Sequence, residues 1–222
     1  MTVETLLEEI HRAIAPVEDA IRGHRYVAAI EAGQVPRERL RAFVGEQYHI
    51  IGSDLRSVAH LLARFGDEPA RGFFLATLQG EAQAFGALLR LAEALGVAEP
   101  VLAAHEPLAG AHAYTAYMAW LALYGSEAEV AAAFLVNFPA WGANCGRLSR
   151  ALQARYGLSR EAVAFLDLFA TPSPEFEAAA RRVIEAGLAR GVAPDRVKRA
   201  ARLLQAYEQL FWDTMAEASG LP

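Results

Sequence analysis

Glu208 is the residue whose surroundings in this sequence best equip a side chain for chemistry. It lies in the run YEQLFW (residues 207–212), where one acid stands among three aromatic side chains. A carboxyl group in apolar surroundings has a raised pKa, which suits it to general acid catalysis near neutral pH. The same pattern also fits a surface acid at the edge of the core, and the residues alone favour that simpler interpretation.

Glu46 and His49 have a spacing that can bind a metal ion. Metal sites in helical bundles use Glu-x-x-His pairs that project inward from facing helices. The sequence shows no second such pair with supporting carboxylates on other helices, and no two histidines three or four residues apart. We therefore predict no metal site and no cofactor, and we interpret His49 as a packed or hydrogen-bonded core residue. Whether Glu46, His49 and Glu81 contribute to a metal site stays open at this point.

A proline interrupts the apolar run NFPAW (residues 137–141). Proline inside a helix removes a backbone hydrogen bond, at a cost of ~3 kcal/mol. The resulting kink can turn side chains into a cavity, although a bend that packing merely tolerates is an equal alternative. Asn137 in this run, and Glu81 earlier in the chain, are polar residues within strongly apolar segments. We therefore consider the neighbourhood of Pro139 a candidate pocket wall.

Composition limits the classes of protein to consider. The chain has 222 residues, 54% of them hydrophobic, enough for one large domain over residues 1–222. A net charge of -5 argues against nucleic acid as a partner. No run reaches the ~18 apolar residues of a membrane span, and residues 1–20 do not resemble a signal peptide. We expect a cytoplasmic protein with no membrane partner.

Helical periodicity extends along nearly the whole chain. The apolar positions and the helix start and stop residues predict helices at about 6–14, 26–31, 36–62, 70–95, 108–124, 126–156, 159–171, 174–190 and 194–218. The first of these is expected to end at Pro16, and Ser126 is expected to cap the helix that contains Pro139. No alternating strand segment of useful length is present. The sequence predicts a single-domain all-α bundle.

Four segments together resemble the TenA family, which comprises thiaminase II-type proteins. They are residues 24–49, which follow the family's His-Pro-Phe to Gln-Asp-x-Tyr-Tyr-Leu spacing, Tyr114 with its neighbours, the FPAW run at 138–141, and Glu208 to Trp212. The resemblance spans most of the chain. It implies a haem oxygenase-like helical bundle, a homo-oligomer (dimer or tetramer) and a role in thiamin metabolism.

The resemblance also implies a pocket for a small heterocycle. In the family a cysteine attacks the pyrimidine of thiamin, an aspartate positions the substrate amine, tyrosines line the ring and a glutamate moves protons. Carried over to this sequence, the glutamate is Glu208 and one tyrosine is Tyr114. The nucleophile's position holds Ala140, and the aspartate's holds Gln47. A second tyrosine position corresponds to His49 or Ile50, and a third lies near Phe169.

The resemblance predicts a protein that binds, and in one version hydrolyses or otherwise processes, an aminopyrimidine or thiamin-related heterocycle. Glu208 is the predicted general acid or base, and the predicted binding residues are Gln47, Tyr48, Tyr114, Trp141 and Phe169. Two alternatives stay open: a binding protein without catalysis, and a cofactor-free or di-iron oxidase of the related branches. Because the side chain of Ala140 is not a nucleophile, whether the protein is an enzyme also stays open.

Cys145 is the only cysteine, and it is not expected to replace the missing nucleophile. Five residues along a regular helix correspond to a rotation of about 140° and a rise of ~7.5 Å. The thiol is therefore expected to point to another face of the helix than Ala140.

Overall fold

The fold is built from helices that surround two clusters of buried apolar side chains. The structure is a computed structural model that describes residues 1–221, so Pro222, the last residue of the predicted domain, lies outside it. The helices are α1 (Val3–Arg22), α2 (Arg25–Glu31), α3 (Leu40–Arg64), α4 (Ala70–Ala94), α5 (Glu99–Ala103), α6 (Ala109–Tyr124), α7 (Glu127–Tyr156), α8 (Ala164–Ala170), α9 (Pro174–Ala189) and α10 (Pro194–Ala218). A short 3-10 helix, Arg37–Arg39, precedes α3. Residues 1–221 contain no strand, and the all-α prediction is confirmed.

Local signals in the sequence set most of the helix ends. Ser126 caps α7 through a capping box: its hydroxyl accepts from the backbone N–H of Glu129, and the Glu129 carboxylate accepts from the N–H of Ser126 at 2.8 Å. Pro174 and Pro194 occupy the first positions of α9 and α10, where the missing N–H has no intrahelical partner to lose. Gly96, after α4, has a φ of +74°, a conformation that favours glycine. The predicted ends of these helices are close to the observed ones.

The first helix differs from the prediction. It continues through Pro16 to Arg22 and does not end at the proline. Its apolar face, which includes Leu6, Ile10, Ile14 and Ile21, is buried against the rest of the bundle. Burial on both sides of the proline outweighs the one backbone hydrogen bond that Pro16 removes.

Two further differences concern short segments. The sequence did not predict α5, a five-residue helix between α4 and α6. The segment that was expected to begin a helix at Ser159 forms turns first, and α8 begins only at Ala164. Helices this short depend on tertiary packing more than on propensity, so sequence patterns predict them poorly.

Packing around α7 places the elements that matter for the pocket. α7 is helical across Pro139, and it packs against α8, α9 and α10, while α3 packs against α4 and α6. Gly142 lies against the backbone carbonyl of Phe169 in α8, so this close approach requires a residue without a Cβ. The side chains that follow Asn137 on α7 and those of α8 therefore converge on one region.

The structure also bears on membrane insertion. Within residues 1–221, no helix combines the length and the apolar character needed to cross a bilayer.

Candidate active site

A pocket with a cavity volume of about 50 Å³ lies between α3, α4, α6, α7, α8 and α10. This volume is smaller than the ~300–1,000 Å³ of typical small-molecule sites. Aromatic and aliphatic side chains make up most of its wall, together with a few polar groups. The lining residues are Gln47, Ile50, Ile51, Asp54, Glu81, Tyr114, Phe134, Asn137, Phe138, Trp141, Phe169, Glu208 and Phe211.

Glu208, on α10, is held in this wall by two hydrogen bonds. The indole N–H of Trp212 donates to its Oε1 at 3.0 Å, and the side-chain amide of Asn137 donates to its Oε2 at 2.6 Å. Trp212 stands one helical turn after Glu208, so the sequence spacing places donor and acceptor on the same face. Only 2% of Glu208 is exposed. The alternative of a surface acid at the edge of the core is therefore wrong.

The environment of Glu208 changes its protonation. Burial raises the pKa of its carboxyl group to about 8, and the hydrogen bonds from Trp212 and Asn137 oppose part of this rise. Near neutral pH the group therefore holds a proton and can give it up with a small change in surroundings. This is the property expected of a general acid or base at that pH.

Asn137 connects Glu208 to Tyr114. The hydroxyl of Tyr114 donates to Asn137 Oδ1 at 3.0 Å, while the Asn137 amide nitrogen donates to Glu208. Burial and the nearby carboxyl groups hold the pKa of Tyr114 above its ordinary value, so its hydroxyl keeps its proton. The chain Tyr114–Asn137–Glu208 therefore has a fixed direction of donation, from the phenol towards the carboxyl group.

Aromatic rings form the flat surfaces of the pocket. Trp141 follows Asn137 by one helical turn, and its ring centroid lies 5.9 Å from that of Phe169 and 5.8 Å from that of Phe211. Both contacts are edge-to-face, while the ring of Trp212, with its centroid 5.1 Å from that of Trp141 and an interplanar angle of 34°, covers part of the Trp141 ring. Pro139 is therefore flanked on α7 by Phe138 and Trp141, which both line the pocket.

Two acids on the wall were not among the predicted site residues. Asp54 lies on the face of α3 that also carries Gln47, Ile50 and Ile51, because positions i, i+3, i+4 and i+7 share one side of a helix. Glu81 comes from α4; the sequence marked it only as a polar residue in an apolar segment. The i, i+7 relation to Gln47 was the available signal for Asp54.

The two acids influence one another. The hydroxyl of Thr115 donates to Asp54 Oδ1 at 2.6 Å, while burial raises the pKa of Asp54 to about 7. Burial and the charge of Asp54 together raise the pKa of Glu81 to about 8. Ionised Asp54 therefore disfavours ionisation of Glu81 near neutral pH.

Most of the predicted site residues converge. The structure brings Gln47, Tyr114, Trp141, Phe169 and Glu208 to one pocket. Which of them contact a ligand stays a prediction.

Tyr48 requires a correction. It follows Gln47 by one residue, a rotation of about 100° on α3, and does not line the pocket. Its hydroxyl instead donates to Glu99 at 3.3 Å, and its ring packs on Phe85. Of the two candidates for the tyrosine position, Ile50 lines the pocket and His49 does not.

The two positions considered for a thiol both lie in the core. Ala140 and Cys145 are fully buried, and neither is among the lining residues. Burial and the charges of Glu208 and Asp167 raise the pKa of the Cys145 thiol well above its ordinary value, so it stays protonated. Across residues 1–221, no cysteine lines the pocket.

Glu46, which the sequence marked as a possible metal ligand, has another role. Its Oε1 forms a hydrogen bond of 2.8 Å with His105 Nε2 and accepts from the backbone N–H of Leu108 at 3.0 Å. These bonds join α3 to the start of α6. In the described part of the chain, no group of three histidine, cysteine, aspartate or glutamate residues has a geometry that could hold a metal ion.

Comparison with solved structures shows a widely shared fold. A TenA homologue from Pseudomonas syringae pv. tomato is 14% identical, with 95% of this chain and 92% of that chain covered and a TM-score of 0.80. A putative TenA-like thiaminase from Sulfolobus solfataricus is 12% identical, with 95% and 96% covered and a TM-score of 0.64. Haem oxygenase-1 from Synechocystis, solved with haem, is 15% identical, with 97% and 96% covered and a TM-score of 0.68. These matches confirm the haem oxygenase-like helical bundle.

The sequence itself identifies the family. No curated protein sequence matches this chain significantly. The model of the TENA/THI-4/PQQC family matches residues 11–218, nearly the whole chain. This chain therefore belongs to the TENA/THI-4/PQQC family.

Proposed function

We propose that the pocket binds an aminopyrimidine or a thiamin-related heterocycle, and that Glu208 transfers a proton in its hydrolysis. The observation that carries the proposal is the position of Glu208: a buried carboxyl group with a pKa of about 8, aimed by Trp212 and Asn137 at an aromatic-walled pocket. Membership of the family, and a putative thiaminase among the proteins of the same fold, support the choice of ligand.

The wall offers matching groups for such a ligand. The faces of Trp141 and Phe211 can stack on a planar ring, while Gln47 can both donate to and accept from an amino-heterocycle edge. Because Ala140 supplies no nucleophile, hydrolysis here has water as the attacking group. Protonated Glu208 would then give its proton to the leaving group, which raises the rate by ~10²–10⁴ in comparable cases.

Turnover and binding test the proposal separately. Binding of 4-amino-5-hydroxymethyl-2-methylpyrimidine is measured by calorimetry, and hydrolysis of the corresponding 5-aminomethyl compound and of thiamin is followed by chromatography. We expect binding and turnover, with a rate that falls as the pH rises through about 8, because the acid form of Glu208 is then lost.

Glu208→Gln is expected to lower turnover by ~10² or more while retaining binding. Glu93→Gln, a change of an exposed acid on α4, serves as the control and is expected to have no effect. Absence of binding of both pyrimidines and of thiamin would refute the choice of ligand.

A second candidate function is binding without catalysis. The absence of a nucleophile at Ala140 and the burial of Cys145 favour it. Under this alternative the pyrimidine binds, no turnover is detected with the wild-type protein, and Glu208→Gln changes only the affinity. The homo-oligomer that the resemblance implies belongs to the same proposal, and light scattering measures its size.

A further inference from the structure

Asp54 and Glu81 are two carboxyl groups of the pocket that the proposed hydrolysis does not use. They stand on different helices, α3 and α4, and 6% and 9% of these residues are exposed. Within residues 1–221 neither of them forms a salt bridge. Thr115 supplies one hydrogen bond to Asp54, and no comparable donor holds Glu81. The pair is buried beside an open space without a partner charge.

The charged and titratable groups that line the pocket are all acids or a phenol. Asp54 comes from α3, Glu81 from α4, Tyr114 from α6 and Glu208 from α10, and the lining residues include no lysine, arginine or histidine. The effect of Arg22 on the pKa of Glu208 is weaker than that of burial and of the hydrogen bonds. A pocket with this lining has no positive charge of its own to offset its carboxylates.

Burying a carboxyl group without a partner is unfavourable, and two neighbouring ones increase the cost. A structural role alone would be served equally well by neutral polar side chains of the same size. A ligand that brings a positive charge supplies the missing partner. The ring of Phe211 on the same wall, whose aromatic contacts are all edge-to-face, can also attract a cation.

We propose that Asp54 and Glu81 form a subsite that binds the cationic group of a ligand, a protonated amine or an amidinium, next to the aromatic wall. The subsite is separate from Glu208, whose two oxygens already accept from Trp212 and Asn137. It is also separate from Gln47, the neutral residue at the position where the family resemblance places an aspartate. The inference rests on the proposed function only in using the same pocket, and it adds that the ligand is an organic cation.

The protonation of the pair gives the proposal a distinct signature. Burial raises the pKa of Asp54 to about 7 and that of Glu81 to about 8, so at pH 7 the free pocket retains protons. A bound cation favours the ionised carboxylates, and protons are then released to the solvent. Binding of a neutral isostere releases none from the pair.

Benzamidine and benzamide are the probes, since they share size and planarity and differ in charge. Calorimetry at pH 7 is expected to show at least ~10-fold tighter binding of benzamidine, with release of up to about one proton in a set of buffers of different ionisation enthalpy. In wild-type protein the preference is expected to increase from pH 6 to pH 9, because both carboxyl groups ionise over this range. Tyr114 stays protonated between pH 6 and pH 9. The same measurements on Glu208→Gln exclude the contribution of Glu208.

The double variant Asp54→Asn/Glu81→Gln is expected to lose the preference and the proton release, and Asp54→Asn alone to reduce both. Glu93→Gln retains them. The wild-type pH profile tests the same point without a variant, should the double variant not fold.

Equal affinity for the two probes, no binding of either, or a preference that survives in the double variant would overturn the proposal. So would a preference that disappears only in Glu208→Gln, or a site that takes Mg²⁺ or Mn²⁺ in place of the amidinium. If pyrimidines fail to bind while the amidine preference persists, the proposed function fails and the cation subsite stands.

Discussion

Replacing Glu81 by glutamine should change how the stability of the protein depends on pH. Glu81 is buried in the pocket wall, and its pKa rises from the ordinary value of 4.5 to about 8, with burial as the main cause and the charge of Asp54 as the second. The folded state therefore binds a proton more tightly than the unfolded state does. The stability that this group contributes is fully present below pH 4.5 and is lost as the pH rises through about 8.

The size of the effect follows from the shift. A rise from 4.5 to about 8 corresponds to a total of ~5 kcal/mol, of which ~3 kcal/mol falls between pH 5 and pH 8. Glutamine has nearly the same shape and cannot ionise. The free energy of unfolding of Glu81→Gln should therefore fall by ~3 kcal/mol less than that of wild type between pH 5 and pH 8. For a protein of this size, the difference between the melting temperatures of variant and wild type should change by roughly 6–12 °C between pH 5 and pH 8.

The assay is a series of thermal and urea unfolding curves for both proteins from pH 5 to pH 8. Asp54 and Glu208 share the pocket and contribute to the slope of both proteins, so the difference between the two curves reports Glu81 together with its coupling to Asp54. Glu93→Gln, an exposed change on the same helix, should run parallel to wild type. If the stability of Glu81→Gln changes with pH in parallel with that of the wild type, burial does not disfavour the ionised form of Glu81. The description of the pocket wall is then wrong.

Two further substitutions test the packing that positions the site. Gly142→Ala should destabilise the protein by ~1–3 kcal/mol in urea unfolding, because the added Cβ would meet the backbone of α8. Gly146→Ala on the same helix is the control: its Cβ would make ordinary contacts, so the change should be nearly neutral. Similar losses of stability for both variants would contradict the close approach of α7 and α8. Trp212→Phe removes the indole N–H that donates to Glu208, so the pH at which hydrolysis falls should move upward, and stability should decrease by ~1–3 kcal/mol. Trp120→Phe, at a half-exposed tryptophan, should change neither, and an unmoved pH profile for Trp212→Phe would remove the hydrogen bond from the account of Glu208.

The functional predictions from the sequence had unequal outcomes for identifiable reasons. Glu208 and Trp141 were named because their segments resemble motifs of the family, and the structure places both on the pocket wall. Asp54 was missed, since the only signal was its helical phase relative to Gln47, and a lone acid at such a position is usually exposed. Tyr48 was predicted to bind the ligand, but it follows Gln47 by one residue, and adjacent residues on a helix point about 100° apart.

The sequence by itself determined the helical class, most helix boundaries and the family. These depend on periodicity, capping residues and ordered motifs, all of which act over a few residues. Only the tertiary structure decided that α1 continues through Pro16, because burial of Ile14 and Ile21 is a property of the packed bundle.

The pocket also depended on the tertiary structure. Residues of six helices meet there, and the pKa values of Glu81 and Glu208 rise because the fold removes water from both. No local pattern encodes that removal. The chemistry of the site therefore comes from side chains that the sequence supplies and from a desolvated, unpaired environment that arises only when distant helices pack together.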